Sequence, residues 1–177
     1  MRILARLAAG LAILVAVLVV VAYLLPREVT VTRSITIDAP PAAVFPHINS
    51  LQRFAEWSPW GDIDPDMVQT FSGPEEGVGN RMEWTSEDDR VGSGSQEITL
   101  SLPDERVETA LDFGDMGLGT AWQEVRPVDG VSEITWGLVA DMGRNPIGRW
   151  LGLMMDGLVG ADYERGLERL KAVVEAG

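Results

Sequence analysis

Cysteine is absent from this chain of 177 residues, and His47 is its only histidine. Without a thiol there can be no disulfide, no cysteine nucleophile and no lipoprotein anchor. A zinc site needs several histidine or cysteine ligands, and one imidazole falls short of that. His47 follows Pro46 at the end of a short helical stretch, and no Gly-x-Ser-x-Gly elbow accompanies it. It therefore reads as a surface or helix-end residue rather than a catalytic base. Basic residues are also scarce: 14 Lys and Arg face 27 Asp and Glu. Setting aside Arg2, Arg6 and Arg27 leaves 11 basic residues against those 27 acids, a charge of about −16 for the remainder. Binding nucleic acid rests on neutralising phosphates, so no nucleic-acid partner is expected. The acidic side chains read as a solvated surface.

Charge disappears altogether from Leu7 to Leu25, a run of 19 residues with Arg2 and Arg6 before it and Arg27 after it. About 20 apolar residues in a helix cross the hydrocarbon core of a bilayer. Tyr23 falls near one end of the run, where an amphipathic ring suits the interface. We expect residues 1–27 to form a retained transmembrane anchor touching the membrane through residues 7–25. A cleaved signal peptide is the alternative, since Val20 and Ala22 offer a small-residue site; but Tyr23-Leu24-Leu25 prolongs the apolar run past it. The flanking arginines favour a cytoplasmic N-terminus, with residues 28–177 outside.

Beyond the span, Val29, Val31, Ile35 and Ile37 alternate on one face of a half-buried strand that begins within a few residues of Pro26. Asp38-Ala-Pro-Pro reads as an N-cap with proline entering a short helix from Ala42 to about Ile48, which Pro46 should end or bend. A second short turn, Leu51 to Phe54, leads to Trp57-Ser-Pro-Trp60. Strands are expected at Val68–Phe71, Arg81–Thr85, Ser95–Leu102, Arg106–Phe113, Thr120–Val128 and Val131–Ala140. Gly114–Gly119 and the hairpin pair Asp129-Gly130 make two of the intervening turns. Seven strands with short connections point to an antiparallel, curved sheet. The pattern closes with one long amphipathic helix from about Pro146 to Ala176. Its first half is apolar, but only about 15 residues are available and Arg149 and Asp156 interrupt them, too few for a second span. Five glycines lie in this helix, each costing roughly 1 kcal/mol relative to alanine. Close approach to the sheet, or room for a cavity, would offset them.

Several motifs in this order resemble the START-like SRPBCC superfamily, in particular its polyketide cyclase/dehydrase-like branch. They are Ile35-Thr-Ile-Asp-Ala-Pro-Pro-Ala-Ala-Val-Phe, Trp57-Ser-Pro-Trp, Gly77-Val-Gly-Asn and Tyr163-Glu-Arg-Gly-Leu-Glu-Arg-Leu-Lys, spread across nearly all of residues 29–172. The resemblance implies an α+β helix-grip fold over residues 28–177. In that fold a seven-stranded antiparallel sheet curves around a long C-terminal helix, here preceded by one transmembrane helix. It also implies a deep apolar pocket, binding of lipids, sterols, polyketides or hormones, and in some members cyclase activity. It supplies no shared catalytic motif to carry onto numbered residues.

Other chemistry finds little support. Asp62-Ile-Asp-Pro-Asp66 begins like a calcium loop, but Met67 and Gly73 stand where glycine and glutamate are needed. Gly117-Leu-Gly-Thr-Ala-Trp122 lacks the last glycine of a dinucleotide fingerprint. No cofactor and no metal are expected. The aromatic residues remain. Trp57, Trp60, Phe71, Trp84, Trp136 and Trp150, with Met154 and Leu158, are the candidate lining of an apolar pocket, Trp57 and Trp60 at its mouth. Trp122, Glu124 and Arg126 share the opposite, outward face. Three functions follow: a membrane-anchored binding protein for a hydrophobic small molecule or lipid; a cyclase or dehydratase using Tyr163, Glu83 or Asp112 as acid or base; or a structural or interaction domain whose core is filled.

Overall fold

The computed structural model describes residues 2–114 and 117–177. Asp115 and Met116, inside the turn expected at Gly114–Gly119, lie outside the described residues. The apolar run forms one helix, α1 (Arg2–Leu24), exposed along almost its whole length. β1 (Glu28–Ile37) follows within four residues. The junction is braced: Arg27 Nε donates to Asp141 at 2.8 Å, and Met142 N–H donates to the Arg27 carbonyl at 2.8 Å. The guanidinium and the Gly143 N–H together draw the Asp141 carboxyl down to about 2.

Three short helices come next: α2 (Pro41–Ile48), α3 (Leu51–Trp57) and α4 (Trp60–Ile63). Six strands follow: β2 (Val68–Ser72), β3 (Arg81–Thr85), β4 (Ser93–Leu102), β5 (Arg106–Asp112), β6 (Leu118–Val128) and β7 (Val131–Asp141). All seven pair antiparallel in the order β1-β7-β6-β5-β4-β3-β2. Hairpins join sequence neighbours from β2 to β7, and β7 then returns to pair with β1. Asp129 (φ 49°) and Gly130 (φ 91°) make the two-residue turn whose backbone matches strand twist. A register shift between Ile98 and Leu100 bends β4 and adds curvature. The α+β helix-grip fold is thereby seen directly.

Three local expectations need correction. Asp38 is not an N-cap: Pro40 holds that position with no side-chain cap, and the Asp38 N–H donates to Glu175 instead. Pro46 does not end α2, which runs on to Ile48. Only one intrahelical bond is lost to the proline, and burial of Phe45 and Ile48 holds the last turn in place. The C-terminal segment is two helices, α5 (Pro146–Gly152) and α6 (Met155–Ala176), parted at Leu153–Met154. Asn145 caps the first by accepting from the Ile147 N–H at 2.9 Å.

Four of the five helical glycines mark close approach. A Cβ on Gly166 would stand 2.7 Å from the Trp136 ring, one on Gly152 2.9 Å from Val29, and one on Gly148 2.8 Å from the Met142 carbonyl. At Gly160 it would collide with the Arg33 guanidinium. That guanidinium ties α6 to β1, with Nη1 to Asp156 at 2.8 Å and Nε to Glu164 at 2.6 Å. Both carboxylates bias Arg33 further toward its charged form, and Arg33 holds Asp156 below its ordinary range. Only Gly157 faces open space.

Candidate functional site: the concave face of the sheet

Strand register sorts the inward side chains into rows. One row crosses β5, β6, β7 and β1 as Val107, Gln123, Trp136 and Arg33. The next runs Ile98, Thr109, Ala121, Leu138 and Val31 from β4 to β1. A third runs Phe71, Met82, Gln96, Leu111, Gly119 and Ala140 from β2 to β7.

At one end the concave face is closed by rings. Trp136 stacks on Tyr163 of α6 with centroids 3.8 Å apart and planes 9° from parallel. Trp57 meets Trp136 edge-on at 5.1 Å and Phe54 at 4.8 Å, and Trp60 approaches Trp136 at 5.8 Å. The Trp57 indole N–H is satisfied by the His47 carbonyl at 3.0 Å. Trp57 is wholly buried, so it stands in this plug and not at an opening. Ser58-Pro59 turns the chain between α3 and α4 so that both tryptophans face the same neighbours. Rings at these distances leave no room between them for another molecule.

The other end differs. Trp84 and Phe113 meet edge-on at 5.9 Å, and Phe71, Leu111, Phe113, Met155 and Val159 are only half-buried against the core. Gly119, Ala121 and Ala140 keep the floor between them low. Two polar side chains, Gln96 and Thr109, are buried in that floor, at 7% and 3% exposure, and Gln123, at 4%, lies beside Trp136 in the row of the plug. The Gln96 amide N–H donates to the Met82 sulfur at 3.9 Å. Among the described residues, the buried side-chain nitrogens without a hydrogen-bond partner are His47 Nδ1 and the Trp136 indole N–H. Both glutamines have the strand parity of inward residues in the sequence (Gln123 lies between Ala121 and Val125).

Trp150, Met154 and Leu158 do not join the others. They are exposed, at 36%, 57% and 58%, on α5 and around the start of α6, and α5 packs against α1. Two apolar hollows, of 290 and 190 Å³, open along α1 rather than under α6; the second is bounded partly by Pro146, Ile147 and Trp150. The candidate acids and bases are also dispersed. Glu83 is exposed and paired with Arg81, and Asp112 is exposed and accepts from the Gly114 N–H. Tyr163 is stacked in the plug, where burial pushes its phenol well above the ordinary tyrosine range. On the convex face, Trp122 packs under the Arg106 guanidinium at 5.4 Å, as its outward parity implied.

The family model described as polyketide cyclase / dehydrase and lipid transport matches residues 28–175. The chain belongs to this family. No curated protein matches it. Solved structures share the fold of the family domain at low identity. Protein CV1439 from Chromobacterium violaceum is 19% identical, with a TM-score of 0.56 over 83% of this chain and 98% of its own. A protein from Arthrobacter aurescens is 16% identical, with a TM-score of 0.59 over 84% and 87%. Ara h 8.0201 is 13% identical, with a TM-score of 0.58 over 85% and 99%. At such identities the likeness speaks for the fold alone. Membership in the family adds a fold suited to hydrophobic ligands.

Proposed function

We propose that the protein is a membrane-anchored binding protein for a hydrophobic small molecule or lipid, taken up on the concave face beyond the aromatic plug. One observation carries the reading: the concave face beyond the plug sets Gln96 and Thr109 among apolar side chains, of which Phe71, Leu111 and Phe113 are only half-buried. A ligand with an apolar body and one polar group, laid along the row from Phe71 to Ala140, would meet the Gln96 amide with its polar group. The family's lipid-transport description supports the same class of ligand. α1 would hold residues 28–177 at the bilayer from which such a ligand partitions. At 23 residues it is about 35 Å long at 1.5 Å per residue, and the strand begins directly after it. We further propose a cytoplasmic N-terminus and an extracytoplasmic domain.

The test is Ala121→Phe, which adds a ring to the middle of the floor. If that space receives ligand, the variant folds with a melting temperature near wild type. Hydrophobic molecules seen on the wild type by native mass spectrometry of the detergent-extracted protein are then lost. If the floor is packed solid, overpacking lowers stability by about 1–3 kcal/mol and no ligand is found on either protein. That outcome would leave a domain with a filled core.

A further inference from the structure

The segment from Pro146 to Leu158 carries six exposed large apolar side chains: Ile147, Trp150, Leu151, Leu153, Met154 and Leu158. Nothing in the domain covers them, and they are not scattered. α5 packs against α1, whose one buried residue, Ala22, belongs to this part of the helix. The Trp150 indole N–H reaches the Leu18 carbonyl at 3.3 Å. Arg149 Nη1 donates to the carbonyls of Tyr23 and Leu25 at 3.1 and 3.0 Å, and its guanidinium lies 5.4 Å from the Tyr23 ring centroid.

These contacts fix α5 in height along α1. Leu18 is seven residues before Leu25, so Trp150 sits about 10 Å down the anchor from the point where it meets the domain. Arg149 sits at the level of the last carbonyls of α1, where a charge meets headgroups and water. We infer that α5 and the first turn of α6 dip into the near leaflet of the bilayer, as a membrane-surface wedge beside the anchor. The bilayer is the occupant, rather than a protein partner, because the patch continues a surface already given to lipid. Whatever solvates α1 at Val15 and Leu18 also solvates Ile147 and Trp150 across a groove of 190 Å³. Helices that lie in an interface bury their apolar face about 5–10 Å deep, comparable to the offset of about 10 Å between Trp150 and the end of α1. Both charges that interrupt the apolar run are turned back onto the protein, Arg149 onto α1 and Asp156 onto Arg33. The segment thus meets lipid without crossing it, and it anchors the domain in one orientation where a single span would let it swivel.

The inference rests on α1 being retained in the membrane, and the test separates the two. The natural lack of cysteine allows single spin labels on the full chain, through Leu151→Cys, Met154→Cys and Leu158→Cys. Leu14→Cys on α1 and Ser72→Cys on the exposed end of β2 serve as references. All five positions are solvent-facing in the isolated chain, so folding should survive. After reconstitution into phosphatidylcholine–phosphatidylglycerol vesicles, each label is relaxed with oxygen, which concentrates in lipid, and with a water-soluble nickel chelate. The three test labels should respond to oxygen and be reached by nickel roughly tenfold less than Ser72, as lipid burial demands. Nickel access equal to Ser72, with Leu14 protected, overturns the wedge and leaves the anchor. Shielding from both reagents would mean a protein interface and also overturns it. Nickel access at Leu14 would remove the anchor and the wedge together.

Discussion

The two ends of the C-terminal helical segment are built from the same materials and meet opposite surroundings. Near Gly166, α6 presses against Trp136, which is stacked on Tyr163 and wholly enclosed by α3, α4 and β7. Near Gly152, α5 lays Trp150 against α1, and Leu153 and Met154 between α5 and α6 are left exposed. Both stretches mix tryptophan, leucine and glycine at helical spacing. Periodicity states that a face must leave water; it does not state whether protein or lipid receives it.

The contrast is broken most forcefully at the two tryptophans. Trp136→Ala should remove about 3–5 kcal/mol of unfolding free energy, because it takes the central ring from a plug in which four other aromatic rings contact it or each other. Trp150→Ala, measured by chemical denaturation in the same detergent, should cost about 1 kcal/mol or less. Equal losses would mean that α5 is as much a part of the core as α6.

The same contrast can be sharpened with one substitution made twice. Gly166→Ala places a methyl 2.7 Å from Trp136 and 3.2 Å from Pro59, neither of which can swing aside. Overpacking of about 1–3 kcal/mol should outweigh the helix propensity gained. Gly157→Ala meets nothing within 4 Å and should keep the propensity gain, at most about 1 kcal/mol. Opposite signs in the two thermal shifts are the expected outcome.

Much of this was legible beforehand. Each strand announced itself by alternation, and Asp129-Gly130 announced its turn, because both signals are local. The inward parity of Trp84 and Trp136 could be read for the same reason. What could not be read was the company each side chain keeps. Trp57 and Trp60 look alike at a Ser-Pro turn, yet their place in a closed plug depends on β7 and α6, roughly eighty and a hundred residues later. The break at Leu153–Met154 carries no proline, and the packing of α5 against α1 beside it is a tertiary contact that local sequence does not state. The inward glutamines, Gln96 in the floor and Gln123 beside Trp136, look like surface residues until their strand neighbours fix the face.

The smallest expected effect concerns the outside of the plug. His47 lies in the last turn of α2, its backbone carbonyl holds Trp57, and its Nδ1 is buried without a partner. Burial, and after it the nearby Arg53, lower the pKa of this imidazole below its ordinary 6.5, while Glu56 pulls the other way. The unfolded chain therefore takes up the proton first. As pH falls through 6.5 toward the folded value, protonation favours the unfolded state, and the loss levels off once both states are charged. Because the many carboxylates also respond to acid, the readout is a difference: the melting temperature of wild type minus that of His47→Leu, compared at pH 7.5 and pH 5. That difference should become less favourable to wild type at the lower pH. A difference that does not change with pH would mean that His47 is as well solvated in the fold as in the open chain, and that water reaches the back of the plug.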